Sequence, residues 1–146
     1  MELKSTRDIP LFTALTRLYT DVDELVATMQ RKRQYTTGVE MLHRILEMVD
    51  CLSFAIDFPE FRRYYLVSFL SKYNELAMLM KVSNDKKWVL QKRYLQLSPN
   101  FANIEKQAKG WLAKTSRIQP EQEELNTLPG EHPLRGGHTL PAERTS

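Results

Sequence analysis

With 146 residues, 42% of them hydrophobic, the chain has enough material for one domain with a packed interior. Five glycines are too few for a turn-rich β protein, and a single cysteine, Cys51, excludes an internal disulfide. The net charge of +3 is unevenly spread: residues 1–117 hold 19 basic against 13 acidic side chains, and residues 118–146 hold 2 against 5.

The first predicted helix spans about residues 10–30. Proline suits its first turn. Leu11, Leu15, Leu18, Val22, Leu25 and Met29 recur at steps of 4 and 3, an a/d seam, and Phe12, Tyr19 and Val26 widen it to the stripe of a bundle helix. A polar link, Arg31 to Gly38, follows. The second helix covers about residues 37–56, with its seam on Leu42, Ile45, Val49, Leu52 and Ile56, widened by Met41, Met48 and Ala55. Pro59 ends it and opens the third helix, about residues 59–82, whose seam is Leu66, Phe69, Tyr73, Leu76 and Met80. Ser83-Asn84-Asp85 reads as a break able to cap the fourth helix, about residues 86–114. That helix carries Leu90, Tyr94, Leu97, Phe101, Ile104, Ala108 and Trp111 at steps of 4 and 3. The register does not slip at Pro99, which favours one kinked helix; a break at Gln96–Pro99 is the alternative.

These spacings predict an all-α, up-down-up-down four-helix bundle over residues 1–117. Residues 118–146 contain four prolines, three glycines and no aromatic residue, so they read as a disordered acidic tail. No apolar run reaches the roughly 20 residues of a membrane span. The opening residues lack the apolar core of a secretion signal, so a soluble protein of the cytoplasm is expected.

Charge alternates between elements. The first two helices are acidic. Arg31, Lys32 and Arg33 make the first link basic, the third helix is mildly basic, and residues 85–117 carry eight basic against two acidic side chains. Three readings fit the fourth helix: a solvated face paired with acidic neighbours, a nucleic-acid footprint, or a face that meets acidic helices of another subunit. The nucleic-acid reading selects Arg31, Lys32, Arg33, Lys81, Lys86, Lys87, Lys92, Arg93, Lys106 and Lys109. Tyr64, Tyr65 and Trp88 fall outside the seams. As exposed aromatics they would mark a subunit contact; otherwise they broaden the core.

Catalytic chemistry is not legible. His43 is the lone histidine of the helical region and lacks the preceding arginine that helical RNases of the HEPN type need. No His/Cys cluster has metal-ligand spacing, and Cys51 reads as a small apolar group. No catalytic residue, metal or cofactor is expected.

Several segments resemble the Avd-like accessory proteins of diversity-generating retroelements, over about residues 12–115. The resemblance rests on Met29-Gln-Arg-Lys-Arg33, Gly38-Val-Glu-Met-Leu42, Tyr73-Asn-Glu-Leu-Ala-Met-Leu-Met-Lys-Val82 and, above all, Ile104-Glu-Lys-Gln-Ala-Lys-Gly-Trp-Leu112. Gln30 stands where that family often has proline, and Ala77 occupies a position basic in the family. The resemblance implies a four-helix bundle, a homopentamer, and binding to a partner reverse transcriptase and its template RNA or cDNA in mutagenic reverse transcription. The helical proteins encoded in ribosomal RNA intervening sequences share the pattern and are the alternative, together with a protein-only oligomeric scaffold.

Overall fold

The computed structural model describes residues 9–118. Four long helices account for most of them: α1 (Pro10–Ala27), α2 (Val39–Asp57), α3 (Arg62–Asp85) and α4 (Gln91–Ile118). Among the described residues there is no strand. Each helix packs on the two beside it in a ring, α1 on α2, α2 on α3, α3 on α4 and α4 back on α1, while the diagonals contribute little. Short links between neighbours make this an antiparallel up-down-up-down bundle, as the seams predict. The α1–α2 and α3–α4 links share one end; the α2–α3 link and the start of α1 share the other.

The core is a continuous set of side chains that includes Leu15, Leu18, Val22 and Leu25 of α1, Met41, Ile45, Met48 and Leu52 of α2, Phe69, Leu76 and Met80 of α3, and Leu97, Ile104 and Ala108 of α4. In α2 the centre of the buried stripe is Met41, Ile45, Met48, Leu52 and Ala55, with Leu42, Val49 and Ile56 half-buried at its edge. Ile45 and Leu52 of the predicted seam are thus buried, while Leu42, Val49 and Ile56 yield the centre to Met41, Met48 and Ala55, since both rows lie within one wide apolar face. Leu90, assigned to the α4 seam, is instead 58% exposed and precedes the helix; Val89 takes the buried place.

The polar link is also helical. Thr28–Gln30 turns the chain, Arg31–Arg33 forms a helical turn, and Gln34–Gly38 is a π-helical turn that runs directly into α2. The Gln34 side-chain amide donates to the carbonyls of Ala27 (3.3 Å) and Met29 (3.1 Å), and Thr28 Oγ1 donates to Leu25 O at 2.6 Å. These contacts satisfy the C-terminal carbonyls that α1 leaves free. Gly38 is required here: a Cβ would lie 2.5 Å from Val26 Cγ1, so the π turn could not approach α1.

α3 continues through Ser83-Asn84-Asp85, which does not break it. The buried Ser83 hydroxyl donates to Leu79 O at 2.8 Å, and the helix stops three residues later than expected. α4 accordingly begins at Gln91 rather than Lys86. It passes through Pro99 as one helix. Two cross-links flank the proline: Asn100 Nδ2 donates to Ala14 O of α1 (3.0 Å), and Tyr73 Oη of α3 donates to Phe101 O (2.9 Å), with the Tyr73 and Phe101 rings stacked 4.2 Å apart. The predicted tail, residues 118–146, lies almost entirely outside the described residues.

Candidate nucleic-acid interface

The up-down path brings the first and third links together, and with them most of the predicted basic residues. Arg31, Lys32, Arg33, Lys81, Lys86, Lys87, Lys92 and Arg93 all belong to the end of the bundle where α1 and α3 stop and α2 and α4 start. Lys106 and Lys109 do not. They lie 15 and 18 residues into α4, roughly 22–27 Å along the axis at about 1.5 Å per residue.

Within the basic end the cations differ in how far their charge is met. Lys81 donates to Asp85 at 2.8 Å, a hydrogen bond that raises its pKa, and Arg93 pairs with Glu24 of α1 at 3.1 Å. Arg31 lies over the ring of Tyr35, itself 66% exposed, with 5.8 Å between guanidinium and centroid. Arg33 stacks on Trp88 at 3.8 Å, joining the α1–α2 corner to the α3–α4 corner. Lys32, Lys86, Lys87 and Lys92 are exposed and face no carboxylate within ion-pair distance among the described residues. Farther along α4, Lys109 pairs with Glu105 at 3.0 Å, whereas Lys106 is exposed and has no ion-pair partner among the described residues.

The backbone at Lys87 is informative. α3 ends in a Schellman motif, in which Trp88 N–H donates to Ser83 O (2.8 Å) and Lys87 N–H to Asn84 O (3.1 Å). The motif needs a left-handed residue between them, and Lys87 supplies it at φ 62°. Glycine adopts that conformation with less strain. A lysine is thus held, at a conformational cost, where its ammonium projects from the basic end.

The opposite end has a different character. Ala55, Tyr65 and Leu66 form a second buried cluster, with Phe58, Phe61, Tyr64, Trp111 and Leu112 packed around it. Phe54 and Tyr64 lie against Tyr65 with centroids 5.1 and 5.2 Å away. Tyr65 is only 5% exposed, and Tyr64 and Trp88 are half-buried. Tyr64 and Tyr65 therefore broaden the core, whereas Trp88 packs under Arg33. Arg62 donates from Nε to Ala55 O at 2.7 Å and from its terminal nitrogen to Ile56 O at 3.4 Å, closing the C-terminus of α2.

The side chains considered for chemistry are dispersed. Burial pushes the Cys51 thiol up to about 12, so it stays protonated at neutral pH. His43 is exposed, with Nδ1 3.9 Å from Glu47. Glu47 belongs to an ion-pair network across the α2–α3 face, where Arg44 Nε is 2.6 Å from Glu75 and Lys72 Nζ 3.5 Å from Glu47. No group of His, Cys, Asp and Glu among the described residues could hold a metal ion. No helix there is long and apolar enough to cross a membrane.

Sequence reasoning missed Tyr35 and Trp88 as partners of the basic link. The available signal was topological: in an up-down bundle the first and third links share an end. No family model, curated protein or solved structure matches the chain.

Proposed function

We propose that this protein is a non-enzymatic accessory subunit that binds nucleic acid, chiefly through phosphates, and serves a partner reverse transcriptase in mutagenic reverse transcription. The observation that carries the nucleic-acid part is the basic end. Eight cationic side chains converge there from three segments, four lysines face no carboxylate within ion-pair distance among the described residues, and Lys87 occupies a strained backbone position. Such a surface attracts polyanions by counterion release without reading sequence. Tyr35 and Trp88 add π faces suited to unpaired bases. The reverse-transcriptase partner and the template RNA or cDNA follow from the family resemblance.

Assembly into a homo-oligomer, a pentamer by that resemblance, is supported by apolar side chains on the outer faces of α2 and α3: Val39, Leu46, Val67 and Met78 are each about half exposed. Repeating the basic end around an axis raises avidity.

A filter-binding salt titration with template RNA tests the reading. With four unpaired lysines engaged, log affinity should fall linearly with log salt at a slope near −3, from about −0.7 per contact on a single strand. No binding at low ionic strength overturns it in favour of a protein-only scaffold. RNA cleavage abolished by His43→Ala would overturn the non-enzymatic part. A monomer mass by light scattering would overturn assembly, and flanking genes without a reverse transcriptase would overturn the partner.

A further inference from the structure

We infer that the open groove around Gly110 on α4 is a second phosphate-backbone contact, joined to the basic end by an acid-free track along the helix; this rests on the nucleic-acid reading above. The groove, about 490 Å³, is lined by Asn103, Lys106, Gln107, Gly110, Trp111 and Lys114. At 100° per residue, Lys92, Gln96, Pro99, Asn103, Lys106, Gly110 and Lys114 all fall within about 40° of one line along α4. None is acidic. Lys106 and Lys114 face no carboxylate within ion-pair distance among the described residues, whereas Lys109, turned about 100° from Lys92, is paired with Glu105. The track starts where Lys86 and Lys87 end the basic cluster, and it covers roughly 33 Å from Lys92 to Lys114.

Gly110 has no structural reason to be glycine. Its φ is not left-handed, and a Cβ built on it meets nothing within 4 Å. Glycine inside a helix is the poorest choice after proline, so the position forgoes helix stability without relieving any clash. It leaves bare backbone at the floor of a groove whose rims carry two ammonium groups and two carboxamides. All four are donors, and a phosphodiester presents only acceptors. The groove adds Asn103, Gln107 and Lys114 to the interface and removes Lys109 from it.

The test compares Gly110→Ala, Gly110→Leu and the double variant Lys106→Gln/Lys114→Gln with the wild-type chain, using the same fluorescent RNA in a salt titration, with melting and light scattering alongside. Alanine barely intrudes on the groove and should bind within twofold of wild type. Leucine is also a good helix former but projects a branched side chain into it, and should weaken binding about tenfold at unchanged mass. Removing both lysines should flatten the salt slope by about 0.7 for each. Wild-type affinity and slope in Gly110→Leu and in the lysine pair would overturn the groove while leaving the basic end intact. A change of mass in Gly110→Leu would overturn it by making the groove a contact between copies. No binding by the wild-type chain would remove the functional reading itself.

Discussion

The two ends of the bundle close the same four helices by opposite means. At one, Tyr65, Leu66 and Ala55 bury apolar area under Phe58, Phe61 and Trp111, and the charged Arg62 is turned inward to cap α2. At the other, the caps are amide and backbone contacts made by Gln34 and the Schellman turn, and the charged side chains point outward. The first end is closed by burial and can hold the fold. The second supplements the burial of Val26, Met29, Met80 and Val89 with local hydrogen bonds, and leaves most of its long charged side chains exposed. If the basic end binds as proposed, mutation should separate stability from binding.

Leu66→Ala should have the largest effect. Leu66 is fully buried at the apolar end, and its truncation should cost about 2–5 kcal/mol in urea unfolding while leaving RNA affinity of the folded protein unchanged. If affinity falls in step with stability, the ends are not separable. The reverse experiment is Lys86→Glu with Lys92→Glu. Affinity should drop roughly a hundredfold, at about 1.4 kcal/mol per position, with no loss in urea midpoint. A drop in midpoint without a drop in affinity would make these lysines structural. The smallest effect sharpens the contrast most. Lys87→Gly relieves the left-handed strain, so it should raise stability by up to about 1 kcal/mol while weakening RNA binding several-fold. Unchanged binding would mean that the lysine at this turn serves nothing.

Much of the fold was legible because seams at steps of 3 and 4 leave little choice of element. What escaped had physical causes. The π turn at Gln34–Gly38 carries no strong capping residue, and its clearest requirement, the approach of Gly38 to Val26, is a tertiary contact. Which row of the α2 stripe is central was not legible, because Met41, Met48 and Ala55 are as apolar as Leu42, Val49 and Ile56 beside them. The end of α3 was placed early because Ser83-Asn84-Asp85 resembles a cap, yet Ser83 spends its hydroxyl on Leu79 O. For the site, residue types were legible and their juxtaposition was not. Arg33 and Trp88 are 55 positions apart, and only the path of the chain makes them neighbours. Lys106 and Lys109 read alike in sequence, and Glu105 separates them in the structure.

Pro99 has a consequence for how the molecule opens. Lacking an N–H, it interrupts the hydrogen-bond ladder of α4 eight residues from its start, and Asn100 and Phe101 are then anchored to α1 and α3. Fraying that begins at Gln91 should stop at this belt. Amide exchange should then divide α4 into two units, a short one at the basic end that opens at low free energy and a long one locked to the rest of the bundle. The segment that carries Lys92 and Arg93 should then exchange its amides faster than the core beneath it.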